Sequence, residues 1–191
     1  MPSRLLALVA LICLSSPLHA QKEAPARYQL SGGYSYLSNS LDGVTGSHQG
    51  LNGWNVAFAI PEWHALRFKI DYSAYRGTNL GAPQSPYYIV GGAQYDVHIR
   101  RETLFVDAMA GDAGAGHNWA ANGAVGQTAS FVSLLGGGLD TPLSRRIAFR
   151  VSGGYQYTYF ELQTPKTIIP YRIPGLPTNF GRISSGLVWN F

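Results

Sequence analysis

Residues 66–75 alternate without a fault, with Leu66, Phe68, Ile70, Tyr72 and Ala74 set against Arg67, Lys69, Asp71, Ser73 and Tyr75. Successive side chains of a strand point to opposite faces, so this stretch predicts a strand with one greasy and one charged face. The same period runs through 182–191. There Ile183, Ser185, Leu187, Trp189 and Phe191 oppose Arg182, Ser184, Gly186, Val188 and Asn190. Weaker versions predict strands at 28–38, 53–60, 87–99, 103–111 and 147–159. The stretch 129–139 is the least regular. Phe131, Leu135 and Leu139 favour one register, Val132 and Leu134 the other, and the glycines at 136–138 invite a bulge or sharp coil.

Between these eight strands the connections alternate in length. Those at 39–52, 77–86, 112–128 and 160–178 are long and rich in Gly, Asn, Ser or Pro, whereas 61–64, 100–102 and 140–146 are short. An up-and-down membrane barrel has long loops at one end and short turns at the other, and an even strand count returns both termini to the same side. Alternation of side chains alone does not say whether the greasy face turns inward, as in a soluble sheet, or outward to lipid. The rhythm of the connections favours the second. The predicted fold is all-β, an eight-stranded antiparallel up-and-down transmembrane β-barrel, closed because an open edge would leave backbone groups unpaired in lipid.

The last strand, with Trp189 near its end and Phe191 closing it, resembles that of the outer-membrane β-barrel family, in particular the small eight-stranded OmpA and OmpX type. The resemblance covers residues 27–191 in pattern. It implies that Trp189 and Phe191 are read as an assembly signal by the barrel-assembly machinery. It also implies that the barrel sits among outer-membrane lipids and lipopolysaccharide. The chain stops at Phe191, so the peptidoglycan-binding domain of full OmpA-type proteins is not expected.

Composition narrows the class. Charged residues make up 13% of the chain, with 23 Gly, 12 Tyr and 8 Phe, and mean hydropathy is -0.03. Beyond residue 20 no run approaches the roughly 18–20 apolar residues of a membrane helix. A spanning strand needs only about 9–11 residues with every second one apolar, which leaves mean hydropathy near zero. Residues 1–20 read as a signal peptide, with Arg4 as the positive start, 5–14 as the apolar region and cleavage near Ala20. Residues 21–191 form the barrel domain, and the expected location is the outer membrane. Cys13 lies inside the apolar region behind Ile12, so neither lipidation nor a disulfide is expected. The formal charge of +4 comes from scattered rather than clustered Lys and Arg, so nucleic acid is not an expected partner.

An eight-stranded barrel is just wide enough inside for side chains to fill. The inward set Arg67, Lys69, Asp71, Gln94, Asp96, Asp107, Arg150, Gln156 and Arg182 carries both signs. Buried charges must pair, so an interior salt-bridge network filling a polar lumen is predicted. The five histidines show no ligand spacing, and no metal or other cofactor is expected. Lipid-modifying barrels of the PagL type carry a His and a Ser two residues apart, whereas here Ser47 and His48 are adjacent in a predicted loop. No catalytic residues are assigned. The tyrosines at 34, 36, 155, 157 and 159 read as an aromatic belt rather than a stacking platform. The expected role is structural or surface-interacting, through an unidentified ligand at the long loops. A small passive channel is the alternative, and a lipid-modifying enzyme a more distant one.

Overall fold

The computed structural model describes residues 28–40, 48–63, 65–79, 82–115, 130–163 and 172–191. The proposed signal peptide, the lead at 21–26, His19, Ser47, His64 and His117 lie outside them. Among the described residues nine strands occur: β1 (Gln29–Ser40), β2 (His48–Trp63), β3 (Leu66–Asn79), β4 (Ala82–Gln84), β5 (Pro86–Ile99), β6 (Glu102–Ala115), β7 (Ser130–Pro142), β8 (Ile147–Gln163) and β9 (Arg172–Asn190). Eight of them pair antiparallel in one ring, β2-β1-β9-β8-β7-β6-β5-β3, which β2 and β3 close. The short β4 stands off the ring as a hairpin on the end of β3, with Gly77 opposite Gln84.

The ring is staggered. Traced through β2, β1 and β9, the pairing line from Asp71 reaches β8 at Ala148. Traced the other way, through β5, β6 and β7, it reaches β8 at Thr158. Such a shear tilts the strands against the barrel axis and sets the width of the interior.

Four differences from the sequence reading have physical causes. First, β2, β6, β8 and β9 extend well into the stretches read as long loops. Beyond a lipid band either face of a hairpin can be polar, so pairing continues where alternation no longer marks it. Second, 77–86 is not a free loop, since β4 folds back within it. Third, the reversal after β2 comes later than 61–64, because β2 runs to Trp63 and pairs it with Leu66 across a register shift. Pro61, lacking an N–H, sits beside that irregularity, where strands tolerate it. Fourth, 136–138 forms no bulge, and β7 pairs without a shift on both sides. The strand ends Trp63 and Leu66, Ile99 and Glu102, and Pro142 and Ile147 lie at one end of the barrel, and Ser40 and His48, Ala115 and Ser130, and Gln163 and Arg172 at the other.

Polarity is inverted relative to a soluble protein. Phe68, Ile70 and Tyr72 of β3 and Val106, Leu135, Ile183 and Leu187 are exposed on the outside. Lys69, Asp71, Asp96, Asp107, Asp140, Arg150 and Arg182 are buried inside.

Candidate functional site

The lumen divides along its axis. Towards the short turns it is ionic, and four pairs tie the ring together from within. Arg67 and Asp96 join β3 to β5 at 2.6 Å, diagonally, since Arg67 lies opposite Gln94. Lys69 reaches Asp107 of β6 at 2.8 Å, a diagonal contact across β5, where Gly92 lies opposite Lys69 and Gln94 opposite Asp107. Arg182 crosses from β9 to Asp71 of β3 at 2.9 Å. Arg150 of β8 grips Asp140, its direct cross-strand neighbour on β7, at 2.6 Å.

Neutral side chains complete these shells. Gln94 donates to Asp96 at 2.7 Å, and Asn55 donates to Asp71 at 3.2 Å. Gln29 accepts from Arg150 at 3.3 Å and donates to Asn190 at 3.0 Å, which links the network to the β1–β9 seam. The Phe105 ring lies 4.3 Å from the Arg150 guanidinium carbon and 5.4 Å from the Lys69 ammonium. Each cation thus rests on a π-face as well as on a carboxylate. Four cations are thus matched to four carboxylates, the pairing that buried charges require.

Room inside is scarce. A chamber of about 30 Å³ lies in this half, bordered by Lys69, Asp71, Asp107, Arg150 and Arg182. A water needs roughly 10–15 Å³ on this measure, so the chamber holds about two.

Towards the long connections the filling is mixed, with apolar and aromatic side chains packed among the buried Ser35, Ser73, Gln156 and Thr158, so the lumen is not polar throughout. Leu37, Leu51, Val90, Met109, Val132, Leu134 and Phe180 pack with Tyr75 and Tyr88 in one buried cluster. The two tyrosine rings meet edge to face at 5.8 Å, and Tyr75 shares a 2.8 Å hydrogen bond with Ser35. Gln156 is buried in this half and joins none of the four ion pairs, contrary to the expected network. Arg67, Lys69, Asp71, Gln94, Asp96, Asp107, Arg150 and Arg182 are brought together as described above. Asp140 is the member that sequence reasoning missed, having been read as part of a turn. With Phe131 and Leu135 outward, parity carries Val132, Leu134, Gly136 and Asp140 inward, so fixing that register was the signal that would have found it. Among the described residues no group of three or more His, Cys, Asp and Glu is arranged to hold a metal.

No protein-family model matches the chain, and no curated protein sequence matches it. Solved structures do. Neisserial surface protein A superposes with a TM-score of 0.62 at 15% identity, over 86% of this chain and 97% of that one. The outer membrane protein OprG from Pseudomonas aeruginosa gives 0.57 at 12% identity, over 87% and 96%. Ail, the attachment invasion locus protein of Yersinia pestis, gives 0.54 at 14%, over 88% and 100%. The chain has the fold of the small outer-membrane β-barrels.

In an outer-membrane-type barrel the outer surface is read against lipid, and here its aromatics gather in two zones. Near the short turns Tyr28 stacks on Phe58 at 6.1 Å and on Phe191 at 6.0 Å, with Trp189 at 5.4 Å from Phe191. Tyr28 and Phe191 also exchange two backbone hydrogen bonds of 3.1 Å, fastening the seam between the first and last strands. Further along, Trp54, Tyr72 and Tyr87 form a second row at 5.4 and 6.4 Å. Tyr34 and Tyr155 are exposed on the outside, as a belt requires. Trp189 and Phe191 are each about half exposed.

Proposed function

We propose that the chain is an outer-membrane protein that spans the bilayer as a closed, side-chain-filled barrel. In this reading the short turns and the Tyr28–Phe191 end of the β1–β9 seam face the periplasm. The opposite end of the barrel, at Ser40, Ala115 and Gln163, is the outward one, and a surface partner meets the protein there. Trp189 and Phe191, exposed on the last strand, serve the barrel-assembly machinery as the recognised end of the sheet. The observation that carries the reading is the inverted polarity: a ring of exposed apolar side chains around an interior of four ion pairs. A water-soluble protein has no use for that arrangement, whereas a bilayer demands it.

The interior favours a plug over a channel. A path along the axis meets the ionic half, a chamber for about two waters, and then the Tyr75–Tyr88 cluster. The role we assign is therefore structural or adhesive rather than conductive, and we assign the chain no reaction. The test is fractionation followed by gel migration with and without boiling, joined to single-channel recording. Recovery in the outer membrane with a boiling-dependent shift and no unit conductance is expected. Recovery in the soluble periplasm without a shift would overturn the membrane reading, and steady unit conductance would overturn the plug.

A further inference from the structure

The end of the barrel with the short turns carries a cluster of exposed arginines. Arg100 and Arg101 form the turn between β5 and β6, and Arg145 and Arg146 lie in the turn between β7 and β8. The two turns are neighbours, because β6 pairs with β7 from Thr103 opposite Asp140. Among the described side chains at this rim Glu102 is the exposed acid, so the cluster remains net positive.

Two features mark the cluster as more than a solvated face. Arg100 adopts φ 58°, and it is the one non-glycine residue with positive φ among those described. Two-residue hairpins ordinarily give such a position to Asn, Asp or Gly. Here the turn accepts a disfavoured conformation and still presents a guanidinium. Rules of local conformation are broken in this way mainly where a side chain serves something else. The second turn is firmly built, with the Ser144 hydroxyl accepting from the N–H groups of Arg146 at 3.3 Å and Ile147 at 3.1 Å. Both basic pairs are therefore held in place by tight turns.

Their surroundings identify the partner. Ile99, Leu143 and Ile147 are exposed beside the arginines, Trp189 is the cross-strand neighbour of Ile147, and the Asn190 N–H donates to the Arg146 carbonyl at 2.7 Å. The guanidinia thus stand just past an apolar, aromatic band, at the depth of lipid headgroups. They are spread along a rim rather than gathered into a pocket. We propose that these two turns bind anionic phospholipid headgroups of the leaflet on their side of the membrane, the guanidinia of Arg100, Arg101 and Arg146 taking phosphate oxygens in forked contacts. This rests on the membrane reading above.

Trp189 supplies the reporter. The full chain, with Trp54, Trp63 and Trp119 replaced by Phe, is folded into vesicles containing brominated phosphatidylglycerol or brominated phosphatidylcholine at equal fractions, and quenching of Trp189 is compared. A preference for phosphatidylglycerol of about fivefold is expected at low salt, falling as salt screens it. It should drop to parity in Arg145→Gln/Arg146→Gln combined with Arg100→Asn/Arg101→Gln, and survive Arg100→Lys/Arg101→Lys. Arg100→Asn relieves the turn, so it should fold at least as well as the parent. Equal quenching by both lipids in the parent chain overturns the proposal and leaves the membrane reading standing. Absence of quenching by either lipid in a folded chain overturns both. Loss of the preference on adding millimolar inorganic phosphate would show an anion site rather than a lipid surface, and would also overturn it.

Discussion

Arg150 holds Asp140 by two hydrogen bonds, Nε to Oδ1 and Nη2 to Oδ2, both 2.6 Å, between strands that pair these two residues directly. The pair is buried, and the Phe105 ring covers the guanidinium. Removing only the carboxylate strands a charge. Asp140→Ala is expected to lower the free energy of unfolding by about 3–5 kcal/mol. The double change Asp140→Leu with Arg150→Met should recover most of that loss. Urea titration of vesicle-inserted protein measures both, and equal losses in the single and double variants would refute the pairing argument.

The glycines of β7 are set by what lies behind them. A Cβ on Gly138 would stand 2.2 Å from the Val151 carbonyl oxygen and 2.7 Å from the Phe105 ring, so Gly138→Ala must displace backbone or the ring that supports Arg150. A cost of about 1–3 kcal/mol is expected. At Gly181 nothing lies within 4 Å of the same atom. Gly181→Ala should be neutral or stabilise by up to about 1 kcal/mol through the unfolded chain. The difference between the two midpoints in one denaturant series decides the matter.

The Tyr75–Tyr88 cluster makes a prediction about transport. The parent protein should show no resolved unit conductance in a planar bilayer. Truncating Tyr75, Tyr88 and Phe180 together to Ala should open the long-connection half and produce conductance. A silent triple variant that still shifts on boiling would place the barrier in the ionic half instead.

Leu135 tests the outer face, being 67% exposed in the middle of β7. On a soluble protein a charge there would change stability by less than about 0.5 kcal/mol. Facing lipid, Leu135→Arg should cost about 2–4 kcal/mol. The folded fraction in vesicles, read from boiling-dependent migration, separates the two.

Much of this was legible in the chain, and for one reason: an apolar outer face and a narrow, charged lumen impose strict alternation. That is why β3 could be read residue by residue, with Lys69 and Asp71 inside and Phe68 and Ile70 outside. Legibility failed where one constraint lapsed. Past the exposed apolar band the outer face is free to be polar, so the far ends of β2, β6, β8 and β9 looked like loop. On β7 inward Val132 and Leu134 are as apolar as outward Phe131 and Leu135, because they line the apolar half of the lumen. That hid the register and Asp140 with it. Nor could periodicity say that Lys69 reaches past Gly92 to Asp107, or that Arg182 crosses the barrel to Asp71, since those partners are set by the curvature of the closed ring.

The pairing of β1 with β9 has a kinetic consequence. Gln29 lies opposite Asn190, so the ring is sealed by contacts between residues nearly the whole described chain apart. Such contacts form late, because the loop they close is the longest available. Until β9 arrives, every partly folded state has two bare strand edges, each a template for pairing with another copy. A ring that closes on its first and last strands is therefore open to mispairing with other copies until its final contact forms.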